Sequence, residues 1–148
     1  MQSSRKNNGN ELPIRRKLGI TLVQTFNWVY DQAQEFFATY GITAQQYNVL
    51  KIIHDAKEPL STAQILDQMI EKNAGVSRLV DRLVLKGLIT KQAKLTDKRQ
   101  IDASLTKEGL KVYQEVTRNL ETADNIYASL TDKEVVELNR LLNKIRSK

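Results

Sequence analysis

The sequence predicts a mainly α-helical fold with one small β-hairpin, and three observations support this prediction. Apolar residues recur at helical spacing through much of the chain, as they do from Ile14 to Phe37. Three capping boxes, each a Ser or Thr followed three positions later by Gln or Glu, mark helix starts. They are Thr43 with Gln46, Ser61 with Gln64, and Thr131 with Glu134. Between Ile89 and Leu105 apolar residues instead alternate with polar ones, which is typical of strands.

The predicted elements follow one another in a simple order. The first four are a long helix over residues 13–40 that ends at Gly41, a helix between Thr43 and Pro59, a short helix over residues 61–70, and a longer helix over residues 73–86 that ends at Gly87. Strands over residues 89–93 and 101–105 follow, joined by the polar tip 94–100. A long helix after Thr106 has Leu110, Tyr113, Val116 and Leu120 on one face, and a last helix after Thr131 has the apolar stripe Val135, Leu138, Leu141, Leu142 and Ile145. The last stripe is wide enough to pack on a partner.

Length and composition favour one soluble globular domain. The chain has 148 residues, 41% of them hydrophobic, and no apolar run approaches the ~18 residues that a membrane span needs. The polar first ten residues contain Arg5 and Lys6 without a following apolar stretch, unlike a signal peptide. We therefore expect a disordered N-terminus over residues 1–12, a single domain over residues 13–148, a cytoplasmic location and no membrane partner.

Two scarce residue types exclude whole classes of mechanism. The chain has no Cys, so it can form neither a disulfide nor a thiol switch. His54 is its only His, too few for the usual Cys and His metal clusters within one chain. A nucleophile–base pair and a Gly-rich phosphate loop are also missing from the sequence. We therefore expect no enzyme activity, no metal and no cofactor.

The net charge of +6 is concentrated in one segment. Residues 71–100 hold eight basic and three acidic residues, a net charge of +5, whereas residues 18–70 have a net charge of −3. Such a concentration is expected of a surface that faces nucleic-acid phosphates. The alternative is a solvated basic face without a partner.

The order of the central elements decides between these alternatives, because it is the layout of a winged helix-turn-helix. The helix over residues 73–86 buries one apolar stripe, and its outer face can enter the major groove, where Arg, Asn and Ser side chains bond base edges. The short helix that starts at Ser61 directs free N–H groups at a phosphate. The charged hairpin tip can reach the neighbouring minor groove. The sequence therefore predicts binding to double-stranded DNA.

Two motifs resemble those of the MarR family of transcription regulators. The first is the run from Val76 to Ile89, VSRLVDRLVLKGLI, and the second is TDKR at residues 96–99 followed by LTKEG at residues 105–109. The resemblance extends from about Pro13 to Lys148. It implies a homodimeric repressor on a pseudo-palindromic operator, in which helices over residues 13–40 and 107–148 of both subunits intertwine and hold two DNA-binding lobes over residues 43–106.

The resemblance also assigns residue roles. It implies that Arg99 enters the minor groove, that Asp97 steadies Arg99 through an ion pair, and that Ser77 and Arg78 meet bases. The sequence departs from the family pattern at Lys91, where Arg is common, and in its polar second wing strand. The predicted DNA-binding residues are Ser61, Thr62, Asn73, Ser77, Arg78, Arg82, Lys94, Asp97, Lys98 and Arg99.

Several of these residues have simpler interpretations. Arg82 could pair with a neighbouring carboxylate on the surface, Asp97 could serve only as a turn residue, and Asn73 could cap its helix. For the whole protein, the alternative is a winged-helix protein-interaction module without a specific DNA target.

Aromatic residues suggest a second ligand. MarR-like proteins often bind a small aromatic effector between the dimer helices and the winged lobe, and the resemblance makes Trp28 and Tyr47 candidates for lining such a pocket. The simpler interpretation is that the aromatic residues of the first helix form the core of the lobe or of the dimer. Without Cys, we expect that any signal is not thiol oxidation.

Overall fold

The computed structural model describes residues 11–147, which form seven α-helices and a sheet of three short strands. In chain order the elements are α1 (Ile14–Ala38), α2 (Ala44–Ala56), β1 (Leu60–Ser61), α3 (Thr62–Gln68), α4 (Val76–Leu85), β2 (Ile89–Ala93), β3 (Ile101–Leu105), α5 (Lys107–Arg118), α6 (Leu120–Asp124) and α7 (Asp132–Arg146). The mainly helical fold with a hairpin wing is therefore confirmed. Of the N-terminus predicted to be disordered, residues 1–10 lie outside the described part.

Helix α2 lies at the centre of the hydrophobic core. Its Val49 and Leu50 are completely buried, and the helix packs against α1, α3, α4, α5 and β3. The Thr43 side chain accepts from the N–H of Gln46, and the Gln46 side chain accepts from the N–H of Thr43. This capping box confirms the predicted helix start and orients the first turn of α2.

The sheet contains one strand more than the sequence predicts. Strands β2 and β3 have the predicted bounds and pair antiparallel, from Ile89 opposite Leu105 to Ala93 opposite Ile101. The two-residue strand β1 pairs with the other edge of β3, where Leu60 lies opposite Ala103. Strand β3 is therefore the middle strand, and the base of the wing is tied to the segment that leads into α3.

Helix α4 begins three residues later than predicted. The turn after α3 is closed by the N–H of Ala74, which donates to the Glu71 carbonyl at 3.2 Å, and Gly75 is the N-cap of α4 without a side-chain hydrogen bond. Asn73 therefore lies in this turn. Its predicted place on the helix is wrong, and so is the alternative that it caps the helix.

The predicted long helix after Thr106 is also interrupted. Helix α5 ends at Arg118, and the Asn119 amide donates to the carbonyl of Glu115 at 2.8 Å. Such side-chain bonds to the backbone compete with helix continuation. Leu120 therefore belongs to the separate short helix α6, contrary to the prediction.

Gly109 brings the start of α5 against the backbone at the end of α4. A Cβ atom at Gly109 would lie 2.0 Å from the carbonyl oxygen of Leu88. The same carbonyl accepts from the N–H of Thr106 at 3.1 Å, and the Thr106 hydroxyl donates to the Gly87 carbonyl at 2.6 Å. Gly87 has a φ of +73°, which directs the chain out of α4 and towards β2. The last residues before the wing are thus fixed to α5.

Helices α1 and α7 expose apolar side chains. Helix α7 has no buried residue, and Leu138, Leu141 and Ile145 are 45%, 42% and 57% exposed. On α1 the side chains of Ile14 and Val23 are likewise exposed. None of the helices within residues 11–147 is long and apolar enough to cross a membrane.

We predict that Gly109→Ala lowers the free energy of unfolding by about 1–3 kcal/mol, because a methyl group cannot fit without moving the Leu88 backbone. Gly19→Ala is the control, since a Cβ atom there meets no atom within 4 Å. In a helix this change should stabilise by about 0.5–1 kcal/mol. Urea unfolding of both variants tests the contact, and equal stability of the two would contradict it.

Candidate nucleic-acid interface

Helix α4 has one buried and one exposed face. Val80 and Leu83 are completely buried, whereas Ser77, Arg78 and Arg82 are exposed. Arg78 and Arg82, four positions apart, share one face of the helix, and Ser77 lies within about 140° of both on the same exposed half. The three polar side chains predicted to contact bases therefore lie together and project away from the core.

Asp81 joins this outer face to the wing. Its carboxylate forms an ion pair with the ammonium group of Lys91 on β2. Within residues 11–147 Arg82 forms no ion pair, so the simpler interpretation, that it pairs with a neighbouring carboxylate, is wrong. The pair holds β2 beside the outer face of α4, so this face and the wing are neighbours.

The wing tip is a hydrogen-bonded turn with exposed basic side chains. The N–H of Lys94 donates to the Gln100 carbonyl at 2.9 Å, and the N–H of Gln100 donates to the Asp97 carbonyl at 3.0 Å. Lys94, Lys98 and Arg99 are all exposed. The turn therefore presents three cations to solvent beyond the end of the sheet.

Asp97 has a different partner from the predicted one. Its carboxylate accepts from the backbone N–H of Arg99 at 3.0 Å, and it makes no ion pair with the guanidinium group in the described structure. An Asp that binds the backbone two residues later is typical of a tight turn. The structure thus agrees with the simpler interpretation of Asp97 as a turn residue, which leaves the Arg99 side chain unpaired among the described residues.

The remaining predicted DNA-binding residues lie around α3 and its following turn. The Ser61 hydroxyl accepts from the N–H of Gln64 at 3.2 Å, so it is occupied as the cap of α3. Thr62 is half-buried at the first position of that helix, and Asn73 is exposed in the turn before α4. Ser61 and Thr62 are therefore less exposed than the polar residues of α4 and the wing tip, whereas Asn73 is as accessible as they are.

Sequence reasoning missed Leu95 at the wing tip. Its side chain is completely exposed between the basic residues Lys94 and Lys98. The sequence does show Leu95 as an apolar residue within the polar tip segment, which is the signal that could have identified it.

The two candidate effector-pocket residues lie apart. Trp28 is half-exposed on α1, nine residues or about 13 Å along the helix from Phe37. Tyr47 is buried, and its ring stacks between Phe37 and Tyr113 with centroid distances of 5.1 and 5.7 Å. Burial raises the pKa of Tyr47 above its ordinary value, although its hydrogen bond to Thr117 at 2.9 Å acts in the opposite direction.

A groove lies beside this aromatic stack. It has a volume of ≈ 520 Å³ and is lined by His54, Tyr113, Gln114, Thr117 and Arg118. The rings of His54 and Tyr113 are 4.3 Å apart. Tyr47 reaches the groove through its bond to Thr117, whereas Trp28 does not line it. Neither here nor in the rest of residues 11–147 do three His, Asp or Glu side chains converge to hold a metal ion.

The known proteins to which this chain is similar include transcription regulators. The model of the MarR family matches residues 42–101. The chain is 24% identical over 131 residues to the HTH-type transcriptional regulator MhqR of Bacillus subtilis (strain 168), a match that covers 87% of this chain and 89% of that protein.

Solved structures share the fold. The organohalide-sensing regulator RdhR-CbdbA1625 in its 2,4-dichlorophenol-bound form has a TM-score of 0.83 at 18% identity, covering 98% of this chain and 88% of that chain. A MarR variant from E. coli complexed with operator DNA has a TM-score of 0.78 at 24% identity, covering 88% of this chain and 94% of that chain.

Proposed function

We propose that this chain is a DNA-binding transcription regulator of the MarR family and that it acts as a homodimeric repressor of a pseudo-palindromic operator. It is a regulator and not an enzyme. The observation that carries the proposal is the outer face of α4, where exposed Ser77, Arg78 and Arg82 lie beside a basic wing. The alternative of a protein-interaction module explains neither this arrangement nor the net charge of +5 over residues 71–100.

The two basic elements have different tasks in this proposal. Arg78 on α4 bonds a base edge in the major groove, because Arg can make two hydrogen bonds to guanine. Arg99 at the wing tip enters the minor groove, which presents similar patterns in many sequences. Lys94 and Lys98 accompany Arg99 and neutralise phosphates. Base preference therefore depends mainly on α4, and general affinity depends largely on the wing.

The exposed apolar faces of α1 and α7 support the dimer. A single chain leaves Leu138, Leu141 and Ile145 partly in water, and a second copy is the simplest cover for them. A twofold axis would bring the same patch of each subunit together and place two recognition helices on two half-sites. The proposed division is a DNA-binding lobe over residues 43–106 between dimerisation helices over residues 13–40 and 107–148.

The groove beside Tyr113 supports a small aromatic effector. Its aromatic wall could stack on a ring, and Arg118 could pair with a carboxylate. The compound RdhR-CbdbA1625 binds, 2,4-dichlorophenol, is also a small aromatic molecule. We propose that occupation of this groove, at whose edge Tyr47 lies, weakens DNA binding.

The two arginines should respond differently when tested on an operator selected from random duplexes. Arg78→Ala should weaken the free energy of operator binding by about 1–3 kcal/mol and relax the preference for one base position in each half-site. Arg99→Ala should weaken operator and random DNA more evenly and flatten the salt dependence by about one unit per half-site.

Lys111→Ala is the matched control, because it removes a cation from the exposed face of α5. Titrations at several salt concentrations measure all three variants. An Arg99→Ala protein with unchanged affinity and salt dependence on every duplex would refute the wing assignment. A wild-type affinity that does not fall with salt would favour the interaction module.

Leu138→Glu should separate the dimer, since each interface would bury two unpaired carboxylates. We expect the dimer dissociation constant to rise by at least about 100-fold and operator binding to fall with it. Val136→Glu is the control, because Val136 is 69% exposed on α7 and lies about 200° around the helix from Leu138. Sedimentation measures both variants and a protein lacking residues 131–148. A truncated protein that remains dimeric would rule out this interface.

Benzoate should weaken operator binding by the wild-type protein more than phenol does, because only benzoate offers a carboxylate to Arg118. Arg118→Gln should lower the apparent affinity for benzoate about tenfold, as expected for loss of a charge-assisted hydrogen bond. Its affinity for DNA without benzoate should not change. Equal benzoate responses of the two proteins would contradict the assignment of this groove.

A further inference from the structure

A chain of side-chain hydrogen bonds connects α1 to the turn before α4. The Gln34 amide donates to the side-chain oxygen of Gln45 at 2.9 Å. The Gln45 amide nitrogen donates to the Tyr30 hydroxyl at 2.8 Å and to the Glu71 carboxylate at 3.2 Å. Tyr30 and Gln34 belong to α1, Gln45 to the first turn of α2, and Glu71 to the turn between α3 and α4.

The backbone fixes the direction of these bonds. The N–H of Ala44 donates to the side-chain oxygen of Gln34 at 3.1 Å, so the nitrogen of Gln34 must face Gln45. The oxygen of Gln45 accepts that bond, and its two N–H groups are left for Tyr30 and Glu71. Both N–H groups of the Gln45 amide and one lone pair of its oxygen are therefore in use, which favours one orientation of the side chain.

Neighbouring residues of α2 also form hydrogen bonds with the segments at both ends of α4. The carbonyl oxygen of the Asn48 side chain accepts from the N–H of Ile70 at 3.2 Å, just before Glu71. At the other end, the ammonium group of Lys86, the C-cap of α4, donates to the Gly41 carbonyl and to the Gln46 side chain. The segment before α4 and the C-terminal end of α4 are thus both attached to the α1–α2 part of the chain.

We propose that Gln45 is a positioning residue, which fixes the turn before α4 relative to α1 through Tyr30 and Glu71. This inference rests on the proposed function, in which α1 takes part in the dimer and α4 binds DNA. If α1 defines the dimer axis, the angle between α1 and α4 sets the separation of the two recognition helices. A change at Gln45 would then alter operator binding without touching DNA.

A reciprocal exchange tests the contact between positions 45 and 71. Gln45→Glu alone places two carboxylates against each other, and we expect operator affinity at neutral pH to fall about tenfold. Adding Glu71→Gln restores a donor opposite an acceptor, since the new carboxylate can accept from the new amide, from Tyr30 and from Gln34. The double variant should therefore regain most of the wild-type affinity, which a residue important only for packing would not do.

The pH dependence gives a second readout. At acidic pH protonation of one carboxyl group removes the repulsion, so the affinity of the single variant relative to wild type should recover as the pH falls. Gln68→Glu is the matched control, because it adds the same charge at an exposed position three residues before Glu71. We expect Gln68→Glu to keep near wild-type affinity. Tyr30→Phe, which removes only one hydroxyl, tests the α1 side of the chain if Gln45→Glu proves unstable.

Amide hydrogen exchange without DNA separates this inference from the proposed function. Exchange over residues 69–76 should be faster in Gln45→Glu and in Tyr30→Phe, and it should return towards the wild-type rate in the double variant. Single and double variants with equal exchange rates and equal affinities would overturn the positioning role. A wild-type protein that selects no duplex would overturn the proposed function, while the exchange rates would still decide whether Gln45 fixes the turn.

Discussion

The contact between Gly109 and the carbonyl group of Leu88 is the constraint on which the arrangement of α4, the wing and α5 depends. It allows the first turn of α5 to lie directly on the chain that leaves α4, and Thr106 reinforces it with two hydrogen bonds to Gly87 and Leu88. Helix α4 therefore ends, and β2 and α5 begin, beside one fixed contact. The hydrogen bonds of Gln45 supply a second fixed point, in the turn before the N-terminal end of α4.

The sequence correctly predicts those elements that are defined by residues close to them in the chain. The capping boxes at Thr43, Ser61 and Thr131 lie within four residues of the helix starts that they define, and all three occur in the structure. Strand β1 was missed because two residues cannot show a period, and its partner on β3 is about forty residues away. The late start of α4 depends on the turn closed by the Glu71 carbonyl, which periodicity cannot detect.

The candidate site likewise contains features that follow from local sequence and contacts between residues that are distant in sequence. Helical spacing alone placed Ser77, Arg78 and Arg82 on one exposed face, because the buried stripe of α4 leaves no other orientation. The partners of the charged groups could not be predicted, because they lie on other elements. Asp81 pairs with Lys91 on β2, and Glu71 accepts from Gln45 on α2, which lies twenty-six residues earlier in the chain. Tyr47 was proposed to line a pocket, but its ring fills the space between two other rings, and only its hydroxyl group approaches the groove.

The acidic residues of the basic segment have a consequence for how the protein would search a chromosome. Residues 71–100 contain three acids, and each binds a group of the protein itself: Glu71 the amide of Gln45, Asp81 the ammonium of Lys91, and Asp97 the backbone of Arg99. They lower the positive charge of the surface by three units while holding its shape. Genomes offer about 10⁶–10⁹ competing sites, and every additional cation strengthens binding to all of them alike. The same carboxylates that order the surface would therefore shorten the residence time of the protein on non-specific DNA.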